Sequence, residues 1–227
     1  MSQSTLPKQA FPFLNKLGRN NNREWFNDHK PEFKAIESDV KMFFAELMEA
    51  LNQHDNIENM KVFRIYRDVR FSKDKTPYNT HFSCSYHRAT AALRGGYYLK
   101  LKPGETFVGG GFWQPNKEDL YRIRKEFEID DKPIRKILAS KSFNSYFGKL
   151  EGDELKTAPR DFNKEHEAID LIRKKSFIVS RRFTDKEVQQ PDFLMEVNNT
   201  FKAMRPFFDY MSEVVTTNLN GESLLSL

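Results

Sequence analysis

The sequence predicts an α+β fold, a mostly antiparallel sheet of about four or five strands covered by long amphipathic helices. Three observations predict it. Apolar residues recur at steps of three and four in several long segments, which marks helices with one buried face. Between residues 62 and 112 the period falls to two, as it does in strands with one buried face. Phenylalanine supplies 21 of the 227 residues, enough buriable surface for a packed core. The mean hydropathy of -0.72 suits a disordered chain, but 14% aromatic residues do not, and the chain is read as folded.

A first short helix runs through Phe11, Leu14 and Leu17 and stops near Gly18, where RNNNR intervenes. Asn22 is the expected N-cap of a segment holding Trp25 and Phe26, and Pro31 interrupts it. Phe33, Ile36, Val40, Phe43, Phe44, Leu47 and Leu51 then define an amphipathic helix of about six turns. VFRIYRDVRF reads as a strand, with Phe63, Ile65, Val69 and Phe71 on the buried face and Arg64, Tyr66, Asp68 and Arg70 on the other; Arg67 falls in the apolar register. The loop SKDKTPY leads to a strand at HFSCSYH, and GGYYLKLKPGETFVGGGFW gives two more strands joined at Pro103-Gly104-Glu105. Asn116 caps a helix through Leu120, Ile123 and Phe127, and Pro133 sits in the first turn of the next. Residues 148–159 are irregular, Asn163 caps a helix carrying Ile169 and Ile172, and SFIVSRRF is a strand. Asp192 starts a last long helix with a kink or break expected at Pro206. No repeat or linker divides the chain, so a single domain over residues 1–227 is expected.

With 10 Gly, 10 Pro and 1 Cys, the composition excludes collagen, low-complexity polymers, disulfide scaffolds and a cysteine-based zinc site. The lone Cys84 suits a reducing compartment and reads as a buried thiol. No signal-like apolar stretch opens the sequence and no run is long enough to span a bilayer, so the expectation is a cytoplasmic protein with no membrane partner.

The charge is concentrated. Between Lys61 and Lys75 stand Lys61, Arg64, Arg67, Arg70, Lys73 and Lys75 against Asp68 and Asp74, a net +4 of the chain's +5. A nonspecific nucleic-acid coat spreads its cations along a face, whereas this pattern is local. Asp68, two residues from Arg70, is placed to hold its guanidinium flat, and planar forks suit phosphate or carboxylate oxygens. Ser72, Thr76 and Tyr78 add hydroxyls. The reading is an anion site for a phosphorylated small molecule or nucleic acid, formed by Arg64, Arg67, Asp68, Arg70, Ser72, Lys73, Asp74, Lys75 and Tyr78. Two other readings compete. In one, Asp68 or Asp74 with His81 holds a divalent metal in a phosphate-ester or phosphodiester hydrolase. In the other, the charges form a purely structural ion-pair network, with the arginines closed to solvent, in a domain that binds other proteins. No cofactor is indicated, and His81 and His87 lack diagnostic metal spacing.

Two further features carry less. Gly109, Gly110 and Gly111 in VGGGFW suit a phosphate cradle, although glycines in a strand more often mark close packing. Trp25, Phe26, Tyr97, Tyr98 and Trp113 suit base stacking, although in so aromatic a chain most will be core.

FRIYRDVRFSKDKTPYNTHF, residues 63–82, resembles the signature of an uncharacterised bacterial family, the one numbered twenty-four sixty-one among the domains of unknown function. FPFLNKLGRNNNREWFNDHKPEF, the GGYYLKLKPGETFVGGGFWQP segment with LYRIRKE, and LKTAPRDF resemble that family's blocks in the same order. The resemblance implies a compact α+β domain with no established activity, cofactor or catalytic residues. It also implies that Arg64, Arg67, Asp68, Arg70 and residues 72–78 form one signature block. The sequence departs from the pattern at Asn79, where Lys is expected, and at Asp161, where Gly is expected, so the turn after Arg160 is expected to differ.

Overall fold

The structure, a computed structural model, describes residues 5–225. Its elements are α1 (Ala10–Arg19), α2 (Arg23–Asp28), α3 (Lys30–Leu51), β1 (Ile57–Val62), β2 (Phe82–Arg88), β3 (Gly96–Leu101) and β4 (Thr106–Phe112), followed by α4 (Lys117–Ile129), α5 (Lys132–Ala139), α6 (Lys141–Tyr146), α7 (Ile169–Ile172), β5 (Phe177–Phe183), α8 (Asp185–Val188) and α9 (Phe193–Thr216). The strands form one antiparallel sheet in the order β1-β2-β3-β4-β5, each beside its neighbour in sequence, and the class is α+β.

Local chemistry sets most boundaries. Asn22 and Asn116 cap α2 and α4 by accepting from the backbone N–H of Trp25 and Asp119 at 2.9 and 2.7 Å. Pro31 and Pro133 lie in the first turns of α3 and α5, where a missing N–H costs nothing. Gly104, at φ +72°, closes the turn between β3 and β4. Pro206 does not break α9, which is helical on both sides of it, because Met204, Phe207, Phe208 and Met211 are fully buried there and packing overrides the lost hydrogen bond. The helix expected after Asn163 shrinks to the single turn α7; Asn163 instead accepts from the N–H of Glu165 in a local turn.

The chain divides into two compact units. The first holds residues up to 86, 98–108 and 182–199. In it α1 and α2 pack on α3, and α3 packs on β1. Its core is aromatic: Phe33 lies parallel to Phe82 at 6.1 Å and Phe43 to Phe193 at 5.9 Å, and the buried Tyr86 hydroxyl donates to the Phe44 carbonyl at 3.1 Å.

The second unit holds residues 87–97, 109–181 and 200 onward. Tyr97 sits 4.8 Å from both Phe201 and Phe208, and Phe127 meets Phe177 edge to face. Arg88, its side chain wholly buried, binds Asp209 at 2.6 Å, the Ser212 hydroxyl at 3.2 Å and the Arg94 carbonyl at 3.0 Å, so the burial of its charge is compensated. Gly110 and Gly111 are packing glycines. A Cβ on Gly111, at φ +138°, would lie 2.1 Å from the Phe177 carbonyl oxygen, and one on Gly110 would lie 2.7 Å from Met204 Sδ.

Candidate functional site

The strand expected over residues 62–71 ends at Val62. Beyond it the chain stays extended and pairs irregularly. The Phe63 N–H donates to Ser83 at 2.9 Å, Asn79 N–H to Ile65 at 2.7 Å and Arg67 N–H to Pro77 at 2.9 Å, around an isolated bridge between Tyr66 and Tyr78. A turn with the Ser72 N–H on the Val69 carbonyl at 3.3 Å reverses it. The alternation read from the sequence holds for Ile65, which is buried, and for Arg67 and Val69, which are half-buried. It fails at the ends. Phe63 is 40% exposed and Phe71 95% exposed, because the regular sheet stops before either ring can find a covering layer.

The charges sort into three groups. Arg70 clasps Asp68 with two donors, Nε at 2.9 Å and Nη2 at 2.6 Å, the orienting pair expected from their spacing. Arg67 gives one nitrogen, Nη1, to Asp74 at 2.6 Å, to the Thr76 carbonyl at 3.0 Å and to the Thr76 hydroxyl. Lys75 caps the turn through the carbonyls of Val69 and Arg70 at 3.0 and 3.4 Å. Both acids are thereby engaged. Hydrogen bonds from Arg70 hold the Asp68 carboxyl below its usual range; those from the Thr76 N–H and hydroxyl, then from Arg67, do the same for Asp74. The side chains of Arg64 and Lys73 are exposed and make no hydrogen bond or ion pair with any described residue, although the Arg64 backbone carbonyl accepts from the Asn79 side-chain amide at 3.3 Å. The network that closes its arginines to solvent is therefore not what forms, since the Arg70 side chain keeps 76% of its exposure within its pair.

What anchors this loop lies in the RNNNR segment, read from the sequence only as a helix stop and start. Asn21 pairs with the backbone of Tyr78 in both senses, accepting from its N–H at 3.1 Å and donating to its carbonyl at 2.9 Å. The Phe26 ring of α2 stacks on Tyr78 at 4.0 Å and meets Tyr66 edge-on at 5.8 Å. Between α2 and the loop a cleft of about 310 Å³ is lined by Arg23, Asn27, Tyr66, Arg67, Val69, Pro77 and Tyr78. Arg23 and Asn27 escaped the sequence reading because nothing in it linked α2 to residues forty positions later. Burial pushes the Tyr78 phenol up, offset in part by the field of Arg23. Two guanidiniums and two phenols thus share one concave surface, and Arg67 retains Nε and Nη2 for a further acceptor.

Among the described residues no three His, Cys, Asp or Glu side chains converge as a metal site. Burial, then Lys100 and Lys102, hold the His81 pKa down at about 4, and His87 is exposed. Cys84 is buried and its thiol is pushed up to about 12 by desolvation. Trp25 stacks on His29 at 4.0 Å, Phe26 and Tyr97 are core, and Trp113 is 71% exposed. Asp161, where the resemblance implies glycine, lies at φ +69°, in the left-handed region that favours glycine. No helix among the described residues is long and apolar enough to cross a membrane.

A family described as "Conserved hypothetical protein" matches residues 9–210. No curated protein and no solved structure matches the chain.

Proposed function

We propose that this chain, which belongs to the DUF2461 family of conserved hypothetical proteins, binds a phosphorylated ligand at the loop 63–78 and its cleft with α2. Arg23 and Arg67, with the Tyr66 and Tyr78 hydroxyls, seat a phosphate group in the cleft. Arg64, Arg70 and Lys73 contact the rest of the anion from the loop, Asp68 holds Arg70 flat, and Asp74, Ser72 and Lys75 fix the turn. The observation that carries this reading is the surplus of charge: both acids of the loop are spent on Arg67 and Arg70, while the exposed side chains of Arg64 and Lys73 pair with no described residue. Uncompensated cations on a loop held by hydrogen bonds raise the local concentration of anions and lose nothing to reorganisation when one arrives.

Thermal unfolding in inorganic phosphate tests it. A ligand that binds only the folded chain, at a hundredfold excess over its Kd, stabilises by about 2.7 kcal/mol, roughly 5–10 °C in Tm for a chain of this size. Arg23→Ala and Lys73→Ala remove exposed side chains; the first should abolish that gain and the second reduce it, while both leave the Tm without phosphate unchanged. Equal gains in wild type and both variants would place the anion elsewhere.

A further inference from the structure

Phe71 is the observation that the phosphate reading leaves unused. Its ring is 95% exposed at the reversal of the basic loop, where burying it would have been the ordinary outcome. It does not stand alone. Phe63 and Tyr66, on the same segment, are 40% and 45% exposed. Two of these rings carry a cation beside them, Lys61 Nζ 5.4 Å from the Phe63 centroid and the Arg70 guanidinium 5.9 Å from that of Phe71. Exposed π-faces alternating with phosphate-binding cations along an extended segment are what an unpaired nucleic-acid strand recognises, since every base offers a face and every linkage a charge.

The geometry points to single-stranded nucleic acid as the ligand of this site, with Phe71 as a stacking platform for a base and Arg64, Arg70 and Lys73 on the flanking phosphates. This rests on the phosphate reading above and names its substrate class. A duplex fits less well, because its base faces are already stacked and Phe71 would find only edges. An anionic membrane fits less well too. The exposed rings are spread over residues 63–71 rather than gathered into one apolar tip.

The test is fluorescence anisotropy of a labelled oligo-deoxythymidine, its duplex, and vesicles containing phosphatidylserine, each with the full chain. Single strand should bind most tightly, with an affinity that falls as salt rises. Phe71→Ala should weaken that binding roughly five- to a hundredfold, the range of one lost stacking contact. Phe71→Trp should keep the affinity, with its indole fluorescence quenched on binding. The shift in Tm produced by inorganic phosphate should be the same in Phe71→Ala as in wild type. A duplex bound as tightly as the strand, equal affinity in Phe71→Ala, or binding to vesicles alone would overturn the inference while leaving the phosphate site standing. Loss of the phosphate shift in wild type would overturn both.

Discussion

Cys84, His81 and Asp161 each owe their chemistry to surroundings that can be tested one side chain at a time. Burial raises the Cys84 pKa to about 12, so a thiol-reactive probe should label the native chain negligibly and the denatured chain fully. His81 is held at about 4 against an ordinary 6.5. Between those values the unfolded chain binds a proton that the folded chain refuses. The stability this represents is whole above pH 6.5 and drains away as pH falls toward 4. Urea midpoints measured at pH 7 and 5 should therefore differ less in His81→Gln than in wild type. At Asp161, φ +69° predicts that Asp161→Gly leaves stability unchanged or raises it by up to about 1 kcal/mol, whereas Asp161→Val lowers it by about 1–2 kcal/mol. The sequence reveals the pairing of Asp68 with Arg70, because two residues on one side of an extended segment must meet. It does not reveal Arg23, whose partnership with Arg67 across the cleft depends on how Asn21 grips Tyr78.

Among the elements, β4 makes the sharpest prediction. A methyl on Gly111 would strike the rigid Phe177 backbone at 2.1 Å, while one on Gly110 would meet side chains first, Met204 Sδ at 2.7 Å and the Phe208 ring at 2.8 Å, with the Gly96 carbonyl oxygen at 3.0 Å. Gly111→Ala should cost about 3 kcal/mol in chemical denaturation and Gly110→Ala distinctly less; equal costs would show that the approach to β5 is looser than described. Helices and hairpins were legible where local chemistry dictates them, as at the Asn22 and Asn116 caps, the prolines of α3 and α5 and the turn at Gly104. The run from Phe63 to Phe71 was legible in its alternation only. Periodicity reports which side chains share a side of an extended chain. It does not report whether a sheet continues beneath them, and here it ends at Val62. For the same reason Ile169 and Ile172 suggested a longer helix than the single turn that forms.

At the scale of the molecule, the boundaries between the two compact units fall inside β2, β3, β4, β5 and α9, so neither unit owns those elements whole. We expect one cooperative unfolding transition, with calorimetric and van't Hoff enthalpies that agree; two separate transitions would contradict that expectation. The charge distribution was fully legible from the sequence, since it is arithmetic, but what the charge is free to do was not. Only the hydrogen bonds show that Asp68 and Asp74 are spent inside the loop and that the side chains of Arg64 and Lys73 have no partner among the described residues. The most direct test is a calorimetric titration of the chain with inorganic phosphate at low and moderate salt, set against an Arg23→Ala, Lys73→Ala double variant. The phosphate site predicts a saturable one-to-one heat in the wild type that weakens with salt and vanishes in the variant. No heat in the wild type, or the same heat in both, would contradict it.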